Sequence, residues 1–241
     1  MSIPNKIHYI WFGGSKPKLI QRCIESMNAF SDCFEIIEWN EKNLDLDCND
    51  YTRTCRAERA YAFLSDYFRL KILYNHGGIY LDTDNIIRKN FYEEIKEYSF
   101  VTSFIYDCAL GTSYVAASKG NDHVKYLLGF YDQFNGYNVN NELYTDYFLK
   151  KNLRLNNKFQ LLDNNTAIYP KEYFSSPSFS RNNYVTHLGI GSWRDSGLLR
   201  TWLRNIIKSN MFMYTLYDRY YVQPRHLKIS PYYDLYKQHN R

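Results

Sequence analysis

Apolar residues along this chain alternate between short solid runs and helically spaced stripes. Lys6-Ile7-His8-Tyr9-Ile10-Trp11-Phe12 reads as a buried strand ending at Gly13-Gly14. Pro17 then suits a helix start, and Ile20, Cys23, Ile24, Met27 and Phe30 recur at helical spacing. Phe34 to Trp39 is a second strand, and the acidic, Asn-rich stretch 44–52 reads as loop. One long helix is predicted from about Thr54 to Asn75, stopped by Gly77-Gly78. Ile79-Tyr80-Leu81 is a third buried strand. Further strands are predicted at 99–104, 113–118, 166–169 and 184–187, and helices at 122–134, 141–151 and 196–208. The rest of the chain is Tyr-rich and reads as irregular. Strand–helix–strand–helix–strand over the first 85 residues predicts an α/β fold with a mixed, mostly parallel sheet flanked by helices. The expected division is a catalytic domain over 1–193 and a C-terminal tail over 194–241, packed on the domain or facing a membrane.

The third strand runs into Asp82-Thr83-Asp84. In an extended strand, residues i and i+2 share a face and lie roughly 6–7 Å apart, so both carboxylates reach one cation. Hard oxygen ligands suit Mn²⁺ or Mg²⁺ shared with a diphosphate. Asp45-Leu46-Asp47 has the same spacing but sits in the polar stretch, where a solvated loop or cap is the better reading. Asp82 and Asp84 instead stand at the C-terminal end of a buried strand, where open α/β sheets bind ligands.

Three other groups bear on that site. Asp66 and Arg69 lie i, i+3 on the long helix and share a face; spacing alone favours an exposed intrahelical ion pair, but a carboxylate and a guanidinium also suit sugar hydroxyls and phosphate. Trp11 beside Gly13-Gly14 is either a core residue or a stacking surface for a base. His187, with Ser192 and Trp193 after it, could add an imidazole and a hydroxyl to a metal, or be a hydrogen-bonded structural histidine. No G-x-S-x-G, Walker loop, G-x-G-x-x-G or H-E-x-x-H is present, which counts against hydrolase, nucleoside-triphosphatase, dehydrogenase and zincin chemistry.

Charge changes the picture at one end only. The chain carries +5; residues 194–241 hold nine Lys/Arg against three Asp, +6, so the remainder is −1. An anionic partner therefore suits the tail and not the body, which argues against a nucleic-acid binder built on the whole surface. Five cysteines without C-x-x-C spacing imply neither zinc nor a disulfide framework, and fit reduced thiols in a cytoplasmic protein. No secretory apolar core opens the chain, and no run of 18 apolar residues crosses a membrane.

Taken together, I-H-Y-I-W-F-G-G (7–14), C-I-E-S (23–26), E-I-I-E-W-N (35–40), the run from Ala62 to Asp84 and G-S-W (191–193) resemble glycosyltransferase family 32, the DXD-motif sugar transferases of bacterial capsule and lipopolysaccharide synthesis. More distantly, the chain is similar to the glucosylating domain of clostridial toxins. The likeness is dense over 3–90 and returns at 184–193. It implies a GT-A fold and a retaining, Mn²⁺- or Mg²⁺-dependent transfer of a hexose from a nucleotide sugar, UDP-hexose by analogy, to a saccharide acceptor that is usually lipid-linked. It further implies that Asp82 contacts donor and metal and that Asp84 ligates the metal. Asp66 and Arg69 would hold the hexose and its phosphate, Trp11 would stack on the base, and Tyr80 would line the donor pocket. His187 and Ser192 would complete the metal–diphosphate site, and Trp193 would bond the leaving phosphate. Family members often read His-His-x-x-Gly-Ser-Trp where this chain has His187-Leu188-Gly189-Ile190-Gly191-Ser192-Trp193, so the second histidine is missing.

The tail stripe Leu198, Leu199, Trp202, Leu203, Ile206 and Ile207 among Arg200, Arg204 and Lys208 reads either as an interfacial helix on an anionic membrane, at the inner face of the cell membrane, or as a helix packed on the core. Rival functions are a toxin-like transferase acting on a protein, a nucleic-acid binder using the basic Tyr-rich tail, and a metal phosphoesterase lacking its usual His-rich set.

Overall fold

A computed structural model describes residues 2–132, 140–190 and 205–241. The strands are β1 (Lys6–Ile10), β2 (Glu35–Trp39), β3 (Gly78–Leu81), β4 (Asn85–Ile87), β5 (Phe100–Tyr106), β6 (Ala109–Ala117), β7 (Gln160–Leu162), β8 (Thr166–Tyr169) and β9 (Val185–His187). The helices are α1 (Lys18–Asn28), α2 (Asp50–Ala57), α3 (Tyr61–His76), α4 (Tyr92–Ile95), α5 (Asp122–Asp132), α6 (Asn140–Leu149), α7 (Lys171–Phe174), α8 (Met211–Tyr217), α9 (Gln223–Ile229) and α10 (Tyr233–His239). A π-helical turn, Asp218–Val222, joins α8 to α9.

Seven strands form one sheet in the order β2-β1-β3-β6-β5-β8-β7. Parallel pairs join β1 to β2, β1 to β3 and β5 to β8, and the other pairs are antiparallel. Only β6 and β7 therefore oppose the common direction, as the expected mixed, mostly parallel sheet requires. Alternate strand residues face opposite layers. Ile10, Tyr80, Val115 and Ile168 pack against α3, α5 and α6, while Ile7, Ile79, Leu81 and Tyr114 pack against α1, α4 and α7.

After β1 the chain crosses to β2 on one side, then returns past β1 to β3 on the other. α1 and α3 consequently cover opposite faces, and a crevice opens between the C-terminal ends of β1 and β3. That is the switch point at which such sheets bind ligands.

Two expectations fail before β3. The predicted helix from Thr54 is two helices, and the predicted loop 44–52 already contains the start of α2. Asn49 caps α2 in a reciprocal pair with Thr52, so helix begins at Asp50. It breaks after Ala57, where Arg59 adopts φ 55°. That left-handed residue redirects the chain before α3.

The glycine pair ending α3 is locked by a buried histidine. The Trp39 indole N–H donates to His8 Nδ1 (3.1 Å), so Nε2 carries the proton and donates to the Gly77 carbonyl (2.9 Å). Gly77 and Gly78 have φ of 65° and 103°, and a Cβ on Gly78 would lie 2.7 Å from the Lys6 carbonyl. No other residue fits that turn.

The tail also differs from expectation. Residues beyond 209 are helical rather than irregular, with α8, α9 and α10 running to His239. They touch the body at several points: Tyr106 stacks on His226 at 4.1 Å, Gln223 donates to the Ile105 carbonyl and Ser176, and Tyr232 donates to Asp146. Most of the stripe predicted at 196–208 lies outside the described residues. No described helix is long and apolar enough to cross a membrane.

Burial pushes the His8 imidazole down to about 4. The folded protein thus resists a proton that the unfolded chain accepts below its ordinary value of 6.5. Stability supplied by His8 should be complete above pH 6.5 and decline as pH falls toward 4. The expected result is a stability gap between wild type and His8→Gln, measured by urea denaturation, that narrows by up to about 3 kcal/mol across that window. A gap independent of pH would show that His8 is not held neutral.

Candidate active site at the switch point

β3 ends at Leu81, and the two aspartates that follow are not extended. Asp82 N–H still bonds the Ser113 carbonyl (2.9 Å), but Asn85 N–H closes back on the Asp82 carbonyl (3.0 Å), making Asp82–Asn85 a tight turn. The same-face argument from an extended strand is therefore corrected: the turn, not the pleat, brings the carboxylates together.

The third member arrives from far along the chain. β4 pairs antiparallel with β9 in a separate two-stranded ribbon, Asn85 opposite His187. Leu188 N–H extends the ladder to the Asp84 carbonyl (2.9 Å). Ser26 on α1 fixes the ribbon from below, its hydroxyl accepting from Ile87 N–H (3.0 Å). His187 Nε2 consequently lies 3.2 Å from Asp84 Oδ1, and Ile190 N–H donates to Asp84 Oδ2 (2.7 Å). Ligand atoms of Asp82, Asp84 and His187 all fall within 4.8 Å of one another.

This donor set fits Mn²⁺ or Mg²⁺. Adjacent ligands of an octahedral ion with bonds near 2.1 Å are about 3 Å apart, close to the Asp84–His187 separation. Without an ion the two groups hold each other as an ion pair. Burial works against the Asp84 anion, yet His187 beside it and the Ile190 amide bring its carboxyl down to about 2. Burial likewise opposes the His187 cation, but Asp84 outweighs it and raises the imidazole.

Asp66 and Arg69 form the expected i, i+3 pair (2.9 Å), though not an exposed one: the Arg69 side chain is 3% accessible. Its other terminal nitrogen reaches Asp82 Oδ1 (2.8 Å), and its guanidinium lies 4.7 Å over the Tyr80 ring. Arg69 is thus a strut that positions two carboxylates. Tyr80, 1% accessible, supports the strut from below and does not line open space. Burial, then the Asp82 charge, push the Asp66 carboxyl up against the pull of Arg69, to about 7. The neutral, hydrogen-bond-donating form of Asp66 is therefore more accessible than that of an exposed aspartate.

Trp11 follows β1 at the other wall of the crevice. The β1–β3 register, His8 beside Tyr80, sets Ile10 level with Asp82. The Trp11 indole N–H is occupied by the Gly14 carbonyl (3.0 Å), which leaves the partly exposed ring faces for contact. Ser192 and Trp193 lie outside the described residues. Leu188, where a second histidine was expected, is buried against Cys23 and Tyr214. Asp47 of the other D-x-D pairs with Arg56 and sits away from this cluster.

Sequence reasoning missed the polar lining behind Asp82. Ser113 stands opposite Asp82 across the β3–β6 pair, and its buried hydroxyl has no hydrogen-bond partner; neither has the Tyr144 hydroxyl on α6. Neither residue carries a motif. Only the strand register and the fold of α6 bring them close.

Residues 17–101 match the family described as glycosyltransferase sugar-binding region containing DXD motif. The matched segment carries Asp66, Arg69, Asp82 and Asp84. An uncharacterized glycosyltransferase, L373, of Acanthamoeba polyphaga mimivirus is 29% identical over 160 residues, which are 62% of this chain and 57% of that protein. The chain thus spans little more than half the length of that relative. Among solved structures, the PaToxG glycosyltransferase is similar over 62% of this chain and 69% of its own, with 21% identity and a TM-score of 0.48. A glycosyltransferase involved in glycosylation of the major capsid of PBCV-1 is similar over 85% of this chain and 99% of its own, with 10% identity and a TM-score of 0.47.

Removing the strut should leave two carboxylates facing each other at the edge of the core. Arg69→Met is expected to lower unfolding free energy by about 3–5 kcal/mol, the cost of stranding a buried charge. Arg69→Lys should recover only part of it, because an ammonium cannot bridge both anions in the plane of a fork. Equal melting of wild type and Arg69→Met would refute a structural role for the triad.

Proposed function

We propose that this chain is a metal-dependent glycosyltransferase that moves a hexose from a nucleotide sugar, a UDP-hexose, to a saccharide acceptor with retention of configuration. The carrying observation is the convergence of Asp82, Asp84 and His187 at the switch-point crevice, beside a carboxylate already anchored by Arg69. The match of residues 17–101 to DXD-type glycosyltransferases supports the same reading. Retention and the UDP-hexose rest on the resemblance to family 32, as does a role in surface polysaccharide assembly.

On this reading Asp82, Asp84 and His187 hold Mn²⁺ or Mg²⁺, which when bound stabilises charge developing on the diphosphate leaving group. Asp82 is held in place by Arg69, so it need not reorganise as the donor arrives. Asp66, whose neutral form is accessible, hydrogen-bonds a hexose hydroxyl as donor or acceptor. Trp11, partly buried against the core, stacks the exposed part of its ring on the base across the crevice. None of these side chains is assigned as a nucleophile. The acceptor hydroxyl attacks the anomeric carbon from the face the nucleoside diphosphate leaves, its proton passing to the departing diphosphate oxygen, through a transition state with oxocarbenium character.

A panel of UDP-glucose, UDP-galactose, UDP-N-acetylglucosamine and GDP-mannose with Mn²⁺, read by released nucleotide, tests the proposal. Turnover of one UDP-sugar is expected, abolished by EDTA and reduced on the order of a hundredfold or more in Asp84→Asn. Undiminished turnover in EDTA, or in Asp84→Asn, would overturn the metal assignment. Absence of release from every nucleotide sugar would overturn the transferase reading.

A further inference from the structure

Helix α8 is inside out. Tyr214, Thr215 and Asp218 fall at i, i+1 and i+4, and all three are buried. Phe212, Met213 and Leu216 have the same spacing on the opposite side, and are 60%, 47% and 39% exposed. A surface helix normally turns its apolar stripe to the core and its polar face to water. Here the buried side meets the body through the Tyr214 ring, packed with Cys23 and Leu188, and through hydrogen bonds. The Tyr214 hydroxyl donates to the His187 carbonyl (2.7 Å), Thr215 bonds back to the Met211 carbonyl, and Asp218 accepts from Gln223. The apolar face is left outward.

That face continues beyond the helix. Tyr220 on the π-helical turn is 72% exposed, and Phe179, 64% exposed, sets its ring 5.9 Å from that of Phe212 at a tilt of 37°. Exposed basic side chains flank it, with the Arg219 guanidinium 5.9 Å over the Tyr220 ring and Arg225 donating to the Tyr221 hydroxyl (3.0 Å). From residue 205 onward six Lys/Arg stand against two Asp, a net of +4.

We propose that this face is an interfacial membrane-binding surface, with Phe179, Phe212, Leu216 and Tyr220 entering the headgroup boundary and Arg219 and Arg225 meeting anionic lipid. Aromatic and aliphatic side chains with a basic rim are the composition such interfaces select. Charge favours lipid over a second copy of this chain. A two-fold contact would bring the basic rims of both copies into one interface, whereas an anionic leaflet attracts them all.

Co-sedimentation of the full chain with phosphatidylcholine vesicles, with and without phosphatidylglycerol, tests this surface. Binding to the anionic vesicles alone is expected, weakening as salt rises. Phe212→Asp with Leu216→Asp should abolish it, and Arg219→Glu with Arg225→Glu should weaken it at least about tenfold. Both pairs lie outside the proposed donor site, and circular dichroism melting checks that they fold. Vesicle binding requires no sugar transfer, so Asp84→Asn should bind like wild type even if the transferase reading fails. No binding to either vesicle, or equal binding by the Phe212/Leu216 variant, would overturn the proposal. So would a dimer in solution that this variant dissociates.

Discussion

The site depends on one buried cation. Taking a guanidinium out of water is costly unless its donors find anions and its charge is matched. Arg69 finds two, Asp66 on its own helix and Asp82 on the neighbouring strand, and rests on the face of Tyr80. The local sum is then at most one negative charge, because Asp66 is pushed toward its neutral form, before Asp84 is counted. His187 offsets Asp84 only while it carries a proton. A divalent ion placed among Asp82, Asp84 and His187 would correct that imbalance and release His187 to act as a neutral ligand. The triad thus gives both rigidity and a reason for a cation.

The strut in turn depends on where α3 stops. Gly77-Gly78 must turn within contact of Lys6, and His8, oriented by Trp39, seals that turn. β1 therefore does three things at once. It pairs with β3, it carries the histidine that fixes the approach to β3, and it ends in Trp11 at the opposite wall. A shift of one residue in the β1–β3 register would reverse the face of Tyr80 and Asp82 and dissolve the pairing with Arg69.

Much of this was legible in the sequence wherever a local signal existed. Buried runs gave β1, β2 and β3, helical spacing gave α1 and α3, and the glycine pair marked the end of α3. The metal-facing residues were named from position at a strand end and from family likeness. What could not be read has a common cause: it is decided by contacts between distant residues or by single backbone torsions. Arg59 breaks a good helical pattern with one left-handed residue. Asp66–Arg69 looks like a surface pair because nothing nearby reveals that Asp82 and Tyr80 will bury it. Ser113 and Tyr144 enter through pairing with β3 and the placement of α6. The aspartates turn rather than extend because Asn85 leaves the main sheet to pair with His187.

The tail was misread for the opposite reason, since its pattern is helical but inverted. An amphipathicity argument assumes that the apolar side faces inward. In α8 the inward side carries Tyr214, whose hydroxyl bonds the carbonyls of both His187 and Leu188. The tail therefore touches the strand that supplies the third metal-facing ligand through those hydrogen bonds and through the Tyr214 ring packed on Leu188, while the outer face of the helix stays exposed. The consequence is mechanical. The seven residues of α8 hold the backbone of His187 on one side and present Phe212 and Leu216 on the other. Immobilising the outer face at a surface would also immobilise the carbonyls that position His187, placing the proposed metal site a single helix width from the boundary where a lipid-borne acceptor would arrive.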